Sequence, residues 1–450
     1  MNTSFVLGID PGKSFFAATL LDTDGRPVWK EECIDMSRDG FEILRSKLPA
    51  GNLTVAIEAS GRIDENLLAW FQGLAATSRD REIKVIRVNP GQSARFGGSK
   101  PRRDQTDGSD SAHVAEFARV YQTRLEAFDH DRRIQGMCRL ISERERLVED
   151  QTATKNRIHE QIMICFPEFT RVFADPFAKL ARAVLRQIPT ARCAAGRRPL
   201  SLARIKGGRR CASLGIERAQ QLVKLAKESI ASAREEFDGE AMIFLIEHLE
   251  SLEKRLASIE QILVRYAEQA QPGADRPGSR GVSAPQQIRL LDSIPGIGIV
   301  AASTLVLGTR GLDRFYSGRA LSAQWASCPE RVKTGTSLNH THLTARGDHK
   351  KRAMLYLVTQ SACNFDPAFA FHKWRMIQRG LLPKQAVCAV MNRMARVIWA
   401  MVANNSSYDV NELIVQIRIH HGDLWKTFVQ FNQNKPYLWK NVKLEHRKIA

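Results

Sequence analysis

Residues 4–128 alternate between two hydrophobic periods. Short apolar runs, rich in β-branched and aromatic residues, predict strands near residues 4–10, 15–22, 27–34, 53–59 and 83–88. Apolar positions at three- and four-residue steps predict helices near residues 39–48, 62–75 and 107–127. A Pro-Gly and an Asp-Gly turn separate the first runs, as in a β-meander. Three meandering strands followed by alternating helices and strands predict a mixed α/β sheet.

The pattern changes to long helices after residue 131. Residues 132–164 lack turn signals and are rich in Arg, Glu and Gln, which predicts a long exposed helix. Residues 217–270 are again helical in pattern, and an apolar stripe from Leu245 to Leu263 is typical of a coiled coil. We expect this stripe to pack against a helix of a second protomer, although pairing inside one chain would explain it without an oligomer.

These patterns divide the chain into five segments. An α/β domain covers residues 1–130, and a helical, coiled-coil region covers residues 131–270. Pro, Gly and Ser in residues 271–285 predict a linker. A compact, mostly helical unit is predicted for residues 286–404, and a basic tail for residues 405–450.

The charge of the chain indicates a polyanionic partner. The sequence has 67 Lys and Arg against 48 Asp and Glu, a formal net charge of +19, which favours nucleic acid as the partner. Residues 176–216 hold ten Lys or Arg and no acidic residue, so they would repel one another unless they lay against phosphate. We predict nucleic-acid contacts there, with a solvated basic loop as the alternative. The arginines concerned are Arg197, Arg198, Arg209 and Arg210.

Cysteine usage and hydropathy indicate where the protein acts. The eight cysteines are scattered, without a CxxC pair or paired histidine spacing, which argues against structural zinc and disulfides and suggests a reducing cytosol. No apolar run reaches transmembrane length, and the N-terminus lacks the layout of a signal peptide. A cytoplasmic protein with no membrane partner is therefore expected.

Four carboxylates stand out in the first domain. Asp10 lies at the end of the first predicted strand, and Glu58 ends a strand that looks buried. Asp107 and Asp110 are three residues apart, so they share one face of a predicted helix. Each has an ordinary alternative, as a solvated strand end, a salt-bridged strand end or a pair of helix N-terminal acids. Together they suit Mg²⁺ or Mn²⁺, and two such ions can activate the attacking oxygen and stabilise the leaving oxygen at a phosphodiester.

Two fold families begin with a strand that carries an aspartate into a turn, as Asp10 does here. One comprises the RNase H-like nucleases and recombinases, and the other comprises the actin-like sugar kinases. The kinases need a second Gly-rich phosphate loop and a late Gly-rich adenosine loop, and the sequence has neither. The ordered motifs instead resemble the DEDD transposases of bacterial insertion sequences, which are relatives of the Piv DNA invertases. The motifs are GIDPGKSFFAATLLDTDG, AIEASG, VNPGQSARF, QTDGSDSAHVAEF and LLDSIPGIGIVAASTLVLG.

This resemblance implies a RuvC-like, RNase H-type fold for the first domain. It also implies that Asp10, Glu58, Asp107 and Asp110 are the family's four metal-binding carboxylates, with Asp104 as a competitor for the third position. Donor and target DNA would be the substrates, and a structured guide RNA encoded beside the gene would be a partner. Cutting and joining several strands requires more than one active centre, so we expect a homo-oligomer, a dimer or a tetramer.

The C-terminal unit supplies candidate contacts and a candidate nucleophile. The Pro-Gly-Ile-Gly turn, with Gly296 and Gly298, resembles a helix-hairpin-helix that binds phosphate, with a plain helical turn as the alternative. A hydroxyl cluster then precedes four cations predicted to bind nucleic acid, Arg346, Lys350, Lys351 and Arg352. The resembled family has a nucleophilic Ser in this segment; here Thr334 occupies its position, and Ser337 is the alternative.

The function predicted from the sequence is that of an insertion-sequence transposase that cuts and rejoins DNA. Two other functions stay open. A metal-dependent RuvC-like nuclease or junction resolvase would use water as the nucleophile and would need only the four acids. A non-catalytic nucleic-acid-binding protein would carry a degenerate metal site.

Overall fold

A computed structural model describes residues 4–97, 107–123, 125, 132–232, 236–270, 282–334, 338–440 and 442. The chain divides into two compact units, residues 1–132 and residues 133–450. Asp104 lies outside the described residues, as does most of the segment predicted to be a linker.

The first unit is a mixed α/β sheet, as predicted. Its strands are β1 (Ser4–Pro11), β2 (Phe15–Leu21), β3 (Pro27–Asp35), β4 (Gly51–Glu58) and β5 (Arg81–Val88). Its helices are α1 (Arg38–Lys47), α2 (Glu65–Thr77), α3 (Pro90–Gly97) and α4 (Asp107–Tyr121). The strand order is β3-β2-β1-β4-β5, in which β2 pairs antiparallel with β1 and β3, and β4 pairs parallel with β1 and β5.

Both faces of this sheet are covered by helices, which explains why its central strands are apolar throughout. Side chains of β1 and β4 alternate between two cores. Leu7, Ile9, Val55 and Ile57 pack with residues of α1 and α2 on one face. Val6 and Ala56 pack with residues of α4 on the other. The sequence did not predict α3, which begins at Pro90, a residue suited to the first helical position.

Helix α4 lies unusually close to strand β1. A Cβ atom built on Gly8 would lie 2.3 Å from the Ser111 carbonyl oxygen and 2.3 Å from the Ala115 nitrogen, both in the backbone of α4. The Ser111 and Thr19 hydroxyls are 2.9 Å apart and form a buried hydrogen bond between α4 and β2. The position of α4 on the sheet therefore depends on a glycine at position 8.

The second unit is mostly helical, as predicted for its C-terminal part. Its helices are α5 (Arg132–Cys165, which begins at the boundary), α6 (Lys179–Gln187), α7 (Ala191–Ala195), α8 (Pro199–Leu202), α9 (Ile216–Lys227), α10 (Glu236–Glu268), α11 (Ala284–Asp292), α12 (Ile299–Gly308), α13 (Gly318–Gln324), α14 (His349–Phe365), α15 (Pro367–Gln378), α16 (Pro383–Asn404) and α17 (Val410–Asn432). Short 3-10 helices cover Pro167–Arg171 and Pro436–Trp439, and β6 (Pro329–Thr334) and β7 (Leu338–Leu343) form an antiparallel hairpin.

The apolar stripe of α10 packs inside the chain. Leu252, Leu256, Ile259 and Leu263 share a core with Ile134, Ile141 and Leu147 of α5. Arg144 of α5 donates to Glu260 of α10 at 2.9 Å, and Gln161 donates to the Asp238 carbonyl at 3.0 Å. The two helices therefore run antiparallel, and this pairing explains the stripe without a second protomer. Residues 132–164 were predicted to form an exposed helix. They form the helix, but the prediction that it is exposed is wrong, because one side of α5 is buried.

The basic segment is folded rather than an extended loop. Helices α6 to α9 enclose a core with the end of α5 and the start of α10, and this core includes Phe166, Phe169, Leu185 and Leu222. Arg182 and Arg186 of α6 form ion pairs with Glu253 and Glu250 of α10, each at 2.8 Å. The argument from mutual repulsion therefore fails for these two arginines, whose charges are balanced by carboxylates far away in the sequence.

The last two helices both contribute to a hydrophobic core. Helix α16 is long and apolar enough to cross a membrane by length and composition, but Met391, Ala395 and Ile398 are fully buried in the core of the second unit. It is a core helix. The sequence predicts a basic tail after residue 404, whereas α17 packs against α15 through a core that contains Ile414, Trp425 and Phe428.

We predict that Gly8→Ala destabilises the protein. Its methyl group would overlap the backbone of α4, which cannot move as a flexible side chain could, so we expect a loss of about 1–3 kcal/mol or more in the free energy of unfolding. Gly73→Ala is the matched control, because that helical glycine has open space around its Cβ position and the change should stabilise by about 0.5–1 kcal/mol. Urea denaturation of both variants tests this, and equal stabilities would contradict it.

Candidate metal site and nucleic-acid contacts

The structure places Asp10 and Glu58 at the same end of neighbouring parallel strands. Ile9 of β1 is in register with Ile57 of β4, so the next residues along the two strands are the two acids. Because side chains alternate along a strand, Asp10 shares a face with Gly8, and Glu58 shares a face with Ala56. Both acids therefore project from the face that α4 covers.

Helix α4 brings the third and fourth acids to this face. Asp110 immediately precedes Ser111, which contacts β1 and β2, and Asp107 is the first residue of the helix. The side chain of Asp107 lies outside the described part of the chain. Among the side chains that are described, no group of three or more His, Cys, Asp or Glu is arranged to hold a metal ion. Convergence of all four carboxylates on one pocket therefore stays a prediction.

A hydrogen-bonded chain that the sequence did not reveal holds Glu58. Ser93 of α3, only 2% exposed, donates from its hydroxyl to Glu58 Oε1 at 2.6 Å. His113 Nε2 of α4 lies 2.9 Å from the Ser93 carbonyl oxygen, so this ring nitrogen carries the proton and donates. Helices α3 and α4 thus fix the orientation of the Glu58 carboxylate. The only sequence signal was the position of Ser93 within VNPGQSARF.

The surroundings of Glu58 fit a divalent cation. Asp64, a fully buried acid nearby in the sequence, has an arginine partner, with Arg87 Nε 2.5 Å from its Oδ2. Within the described residues no Lys or Arg forms an ion pair with Glu58, whose carboxylate has the Ser93 hydroxyl instead. A carboxylate that is held in place without a cationic partner is the kind of oxygen donor that Mg²⁺ takes in proteins.

The candidate nucleophile lies at the tip of a hairpin that the sequence analysis missed. Thr334 is the last residue of β6 and pairs with Leu338, the first residue of β7. Its side chain, together with residues 335–337 including the alternative Ser337, lies outside the described residues.

A hydrogen-bonded network lies at the base of this hairpin. Asn392 of α16 donates to the Ser322 hydroxyl at 2.7 Å, and Ser322 and Ser327 share a buried hydrogen bond of 2.8 Å.

The structure changes the interpretation of one predicted nucleic-acid contact. Lys351 is 4% exposed, and its Nζ lies 2.5 Å from Glu145 Oε1 of α5. Lys351 and Glu145 form a structural ion pair, so the prediction that Lys351 contacts nucleic acid is wrong.

The other three predicted cations are less buried. Lys350 is exposed with Glu149 as its partner at 2.8 Å, which raises the pKa of the Lys350 ammonium. Arg346 is exposed, and Arg352 donates to the Thr344 carbonyl at 3.1 Å.

Helices α11 and α12 flank the predicted hairpin turn. Gly296 has a φ of +94°, and a Cβ atom on it would lie 2.7 Å from the Ala362 nitrogen of α14. The packing of α14 therefore requires a glycine at 296. Gly298 precedes α12, and nothing lies within 4 Å of its Cβ position, so its backbone is open to a ligand.

Arginines of the basic segment remain accessible. Arg197, Arg198, Arg209 and Arg210 are all exposed, and the described residues provide no carboxylate partner for them, in contrast to Arg182 and Arg186 of the same segment. All four guanidinium groups face solvent, where the phosphates of a nucleic acid could reach them.

Comparisons with known proteins match two regions of the chain to transposase families. Residues 7–167 match a family model described as Transposase, of the DEDD IS110 type. Residues 288–373 match a model described as Transposase IS116/IS110/IS902 family. The 44.8 kDa protein of insertion element IS116 from Streptomyces clavuligerus is 22% identical over 88% of this chain and 94% of its own length. The 43.6 kDa protein of insertion element IS110 from Streptomyces coelicolor is 23% identical over 90% of this chain and 95% of its own length.

We predict that Ser93→Ala weakens divalent-metal binding in the first unit. Removing a group that orients a ligating carboxylate typically costs roughly 10–100-fold in metal affinity. Titration of the purified protein with Mn²⁺, followed by electron paramagnetic resonance, measures the effect. Ser46→Ala is the control, because that exposed hydroxyl bonds only its own helix, and equal affinities of the two variants would refute a role for Ser93.

Proposed function

Because the chain belongs to the IS116/IS110/IS902 family of transposases, we propose that it cuts and rejoins DNA with a carboxylate-held metal and a protein hydroxyl. The first unit would be an RNase H-like, RuvC-like domain, which its strand order and its mixed parallel and antiparallel pairing support. The observation that carries the proposal is the register of β1 and β4, which puts Asp10 beside Glu58 on the face covered by α4.

The metal of this DEDD family is divalent, and we infer Mg²⁺ or Mn²⁺ here. Asp10, Glu58, Asp107 and Asp110 would hold it. When bound, such an ion lowers the pKa of an attacking hydroxyl and offsets charge on a leaving oxygen. The chain's own contribution is orientation, because Ser93 fixes Glu58 and the contact of α4 with Gly8 fixes the helix that carries Asp110.

The nucleophile would be the Thr334 hydroxyl, with Ser337 as the alternative. Its oxygen attacks a DNA phosphorus, and the bond from phosphorus to the oxygen of the leaving strand breaks. The proton of the attacking hydroxyl passes through solvent to the leaving oxygen, which becomes a strand-terminal hydroxyl. The product is a phosphodiester between protein and DNA. Rejoining is the reverse reaction with a new strand, whose terminal hydroxyl displaces the protein oxygen. Thr334 ends β6 opposite Leu338 of β7, and the proposed role requires its hydroxyl to reach a DNA phosphorus.

The partners follow from charge and from the reaction. Donor and target DNA are the substrates, and a structured guide RNA would use the four exposed arginines of the basic segment. Arg346 and the open backbone at Gly298 are further candidate contacts. A dimer or tetramer would bring enough active centres together to exchange several strands. We place the reaction in the cytoplasm.

A DNA substrate that traps covalent intermediates tests the nucleophile. We expect a nicked suicide substrate to leave a protein–DNA adduct, and peptide mass mapping should locate it on Thr334. Thr334→Val should abolish the adduct while Ser337→Ala retains it, and the reverse result would identify Ser337. Because the carboxylates are expected to assist attack, Asp10→Asn should abolish both adduct and cleavage.

Two other outcomes of this experiment would contradict the mechanism. Cleavage without any protein adduct would show that water is the nucleophile, as in a nuclease or resolvase. Binding of DNA and RNA with no cleavage in the presence of Mg²⁺ or Mn²⁺ would indicate a non-catalytic protein. Asp39→Asn, on the surface helix α1, controls for the loss of one negative charge from the first unit.

Neutralising the exposed arginines of the basic segment should flatten the salt dependence of RNA binding. If each contacts a phosphate, the slope of log K against log salt should decrease in magnitude by about 3. Filter binding of an RNA transcribed from the DNA beside the gene, at several salt concentrations, measures it. The variant replaces four residues by Gln, namely Arg197, Arg198, Arg209 and Arg210.

The control for this experiment removes the same charge elsewhere in the second unit. It replaces by Gln four exposed cations of α9 and α10, namely Lys224, Lys227, Lys254 and Arg255. Its slope should change much less. Equal slopes for the two variants would show that the basic segment has no special role in binding RNA.

A further inference from the structure

Helices α15 and α16 line a cavity that is rich in positive charge. Its volume is about 400 Å³, and its polar lining comes from His372 and Arg375 of α15 and from Asn392, Arg393 and Arg396 of α16. The rest of its wall is apolar, with methionine, valine and alanine side chains. It lies within the second unit and contains none of the proposed catalytic residues.

The cavity has cations without counter-ions. No Asp or Glu lines it, and within the described part of the chain none of its arginines forms an ion pair. The nearest buried acid in the sequence, Asp366, is engaged elsewhere, accepting from the Tyr408 hydroxyl at 2.7 Å and from two backbone amides at the start of α15. Two partly buried guanidinium groups, of Arg375 and Arg393, therefore line this space beside the exposed Arg396, and no acid lines it.

Two buried nitrogens at the cavity also have no hydrogen-bond partner among the described residues. They are His372 Nε2, on a side chain only 5% exposed, and Arg375 Nε. A buried polar atom without a partner costs about 1–3 kcal/mol, so native proteins rarely keep two at one place. Arg375 uses Nη1 to donate to His421 Nε2, at a kink in α17, which leaves its Nε available to a ligand.

Burial first, and neighbouring cations second, disfavour the charged forms of the lining groups. Burial, together with Arg393 and Arg375, lowers the pKa of His372 to about 3. Burial and the neighbouring Arg375 and Arg396 lower the pKa of Arg393, although its guanidinium stays charged. A bound anion would offset the repulsion between the neighbouring cations.

We propose that this cavity binds a phosphate group. Arginine guanidinium groups match phosphate oxygens with paired, charge-assisted hydrogen bonds. Arg375 Nε supplies a further donor inside the cavity, and His372 Nε2 does so in the tautomer that carries the ring proton there. The phosphate belongs either to the backbone of a bound nucleic acid or to a free anion, and the chemistry of recognition is the same. The proposal does not rest on the metal site or on the nucleophile.

Calorimetric titration of the full chain with inorganic phosphate tests the proposal. We expect saturable binding, which Arg393→Gln weakens roughly 10-fold or more. Lys384→Gln removes one exposed cation from the same helix outside the cavity, and it should change the affinity less than about twofold. The Arg393→Gln protein should also unfold at a temperature equal to or above that of the wild type in phosphate-free buffer, because it relieves repulsion.

The outcomes separate the two sources of phosphate. If an oligodeoxythymidylate of eight nucleotides displaces inorganic phosphate, the cavity binds the nucleic-acid backbone; if it does not, the cavity binds the free anion. Either result supports a phosphate site. Absence of saturable phosphate binding to the wild type, or equal weakening by Arg393→Gln and Lys384→Gln, would overturn the proposal. Neither measurement uses DNA cleavage, so a failure here is distinct from a failure of the proposed catalytic mechanism.

Discussion

The first unit is organised by the contact between the backbone of α4 and the backbone of β1 at Gly8. Only a glycine fits there, since a Cβ atom would lie 2.3 Å from two backbone atoms of the helix. The Thr19–Ser111 hydrogen bond then fixes rotation of the helix about its axis. Asp110 stands next to Ser111 in sequence, and Asp10 lies two residues beyond Gly8 on the same strand face. One packing constraint therefore sets both the stability of the sheet and the placement of its acids.

Cations of the second unit fall into classes with different physical roles. Arg182, Arg186 and Lys351 have carboxylate partners on other helices and tie the second unit together. Breaking a buried pair such as Lys351–Glu145 would leave an uncompensated charge inside the protein, at a cost of about 3–5 kcal/mol. The exposed arginines of the basic segment have no such partner among the described residues. Total charge alone could not separate these classes, because the partner of each cation lies 64 residues or more away along the chain.

Local patterns were enough to predict the sheet, the hairpin at 293–298 and the position of each acid on a strand end or helix. Those features depend on alternation and turn residues within a few positions. The rest depends on distant contacts. Four of the six residues of β6 are charged or polar, so its pairing with β7 was not predicted. Helix α17 was not predicted either, because its segment was interpreted as a tail from its basic residues. The stripe on α10 was recognised, but periodicity cannot tell whether its partner is in the same chain. Ser93, His113 and the arginines of α15 and α16 acquire their roles only through folding.

Two places in this protein hold ionic groups that the described residues do not neutralise, and their signs are opposite. Glu58 is oriented by a hydroxyl and has no cationic partner there, whereas Arg375, Arg393 and Arg396 face a cavity without an acid. Folded proteins are stable by only about 5–15 kcal/mol, so unbalanced charge away from water is kept where a ligand balances it. The ligand complementary to the carboxylates is a metal cation, and the ligand complementary to the arginines is an anion such as phosphate. A transposase works on a substrate that supplies phosphates and depends on a divalent ion. On the two proposals, Glu58 would contribute to binding the metal and the arginine cavity would bind a phosphate, the two components that DNA strand exchange brings to the protein.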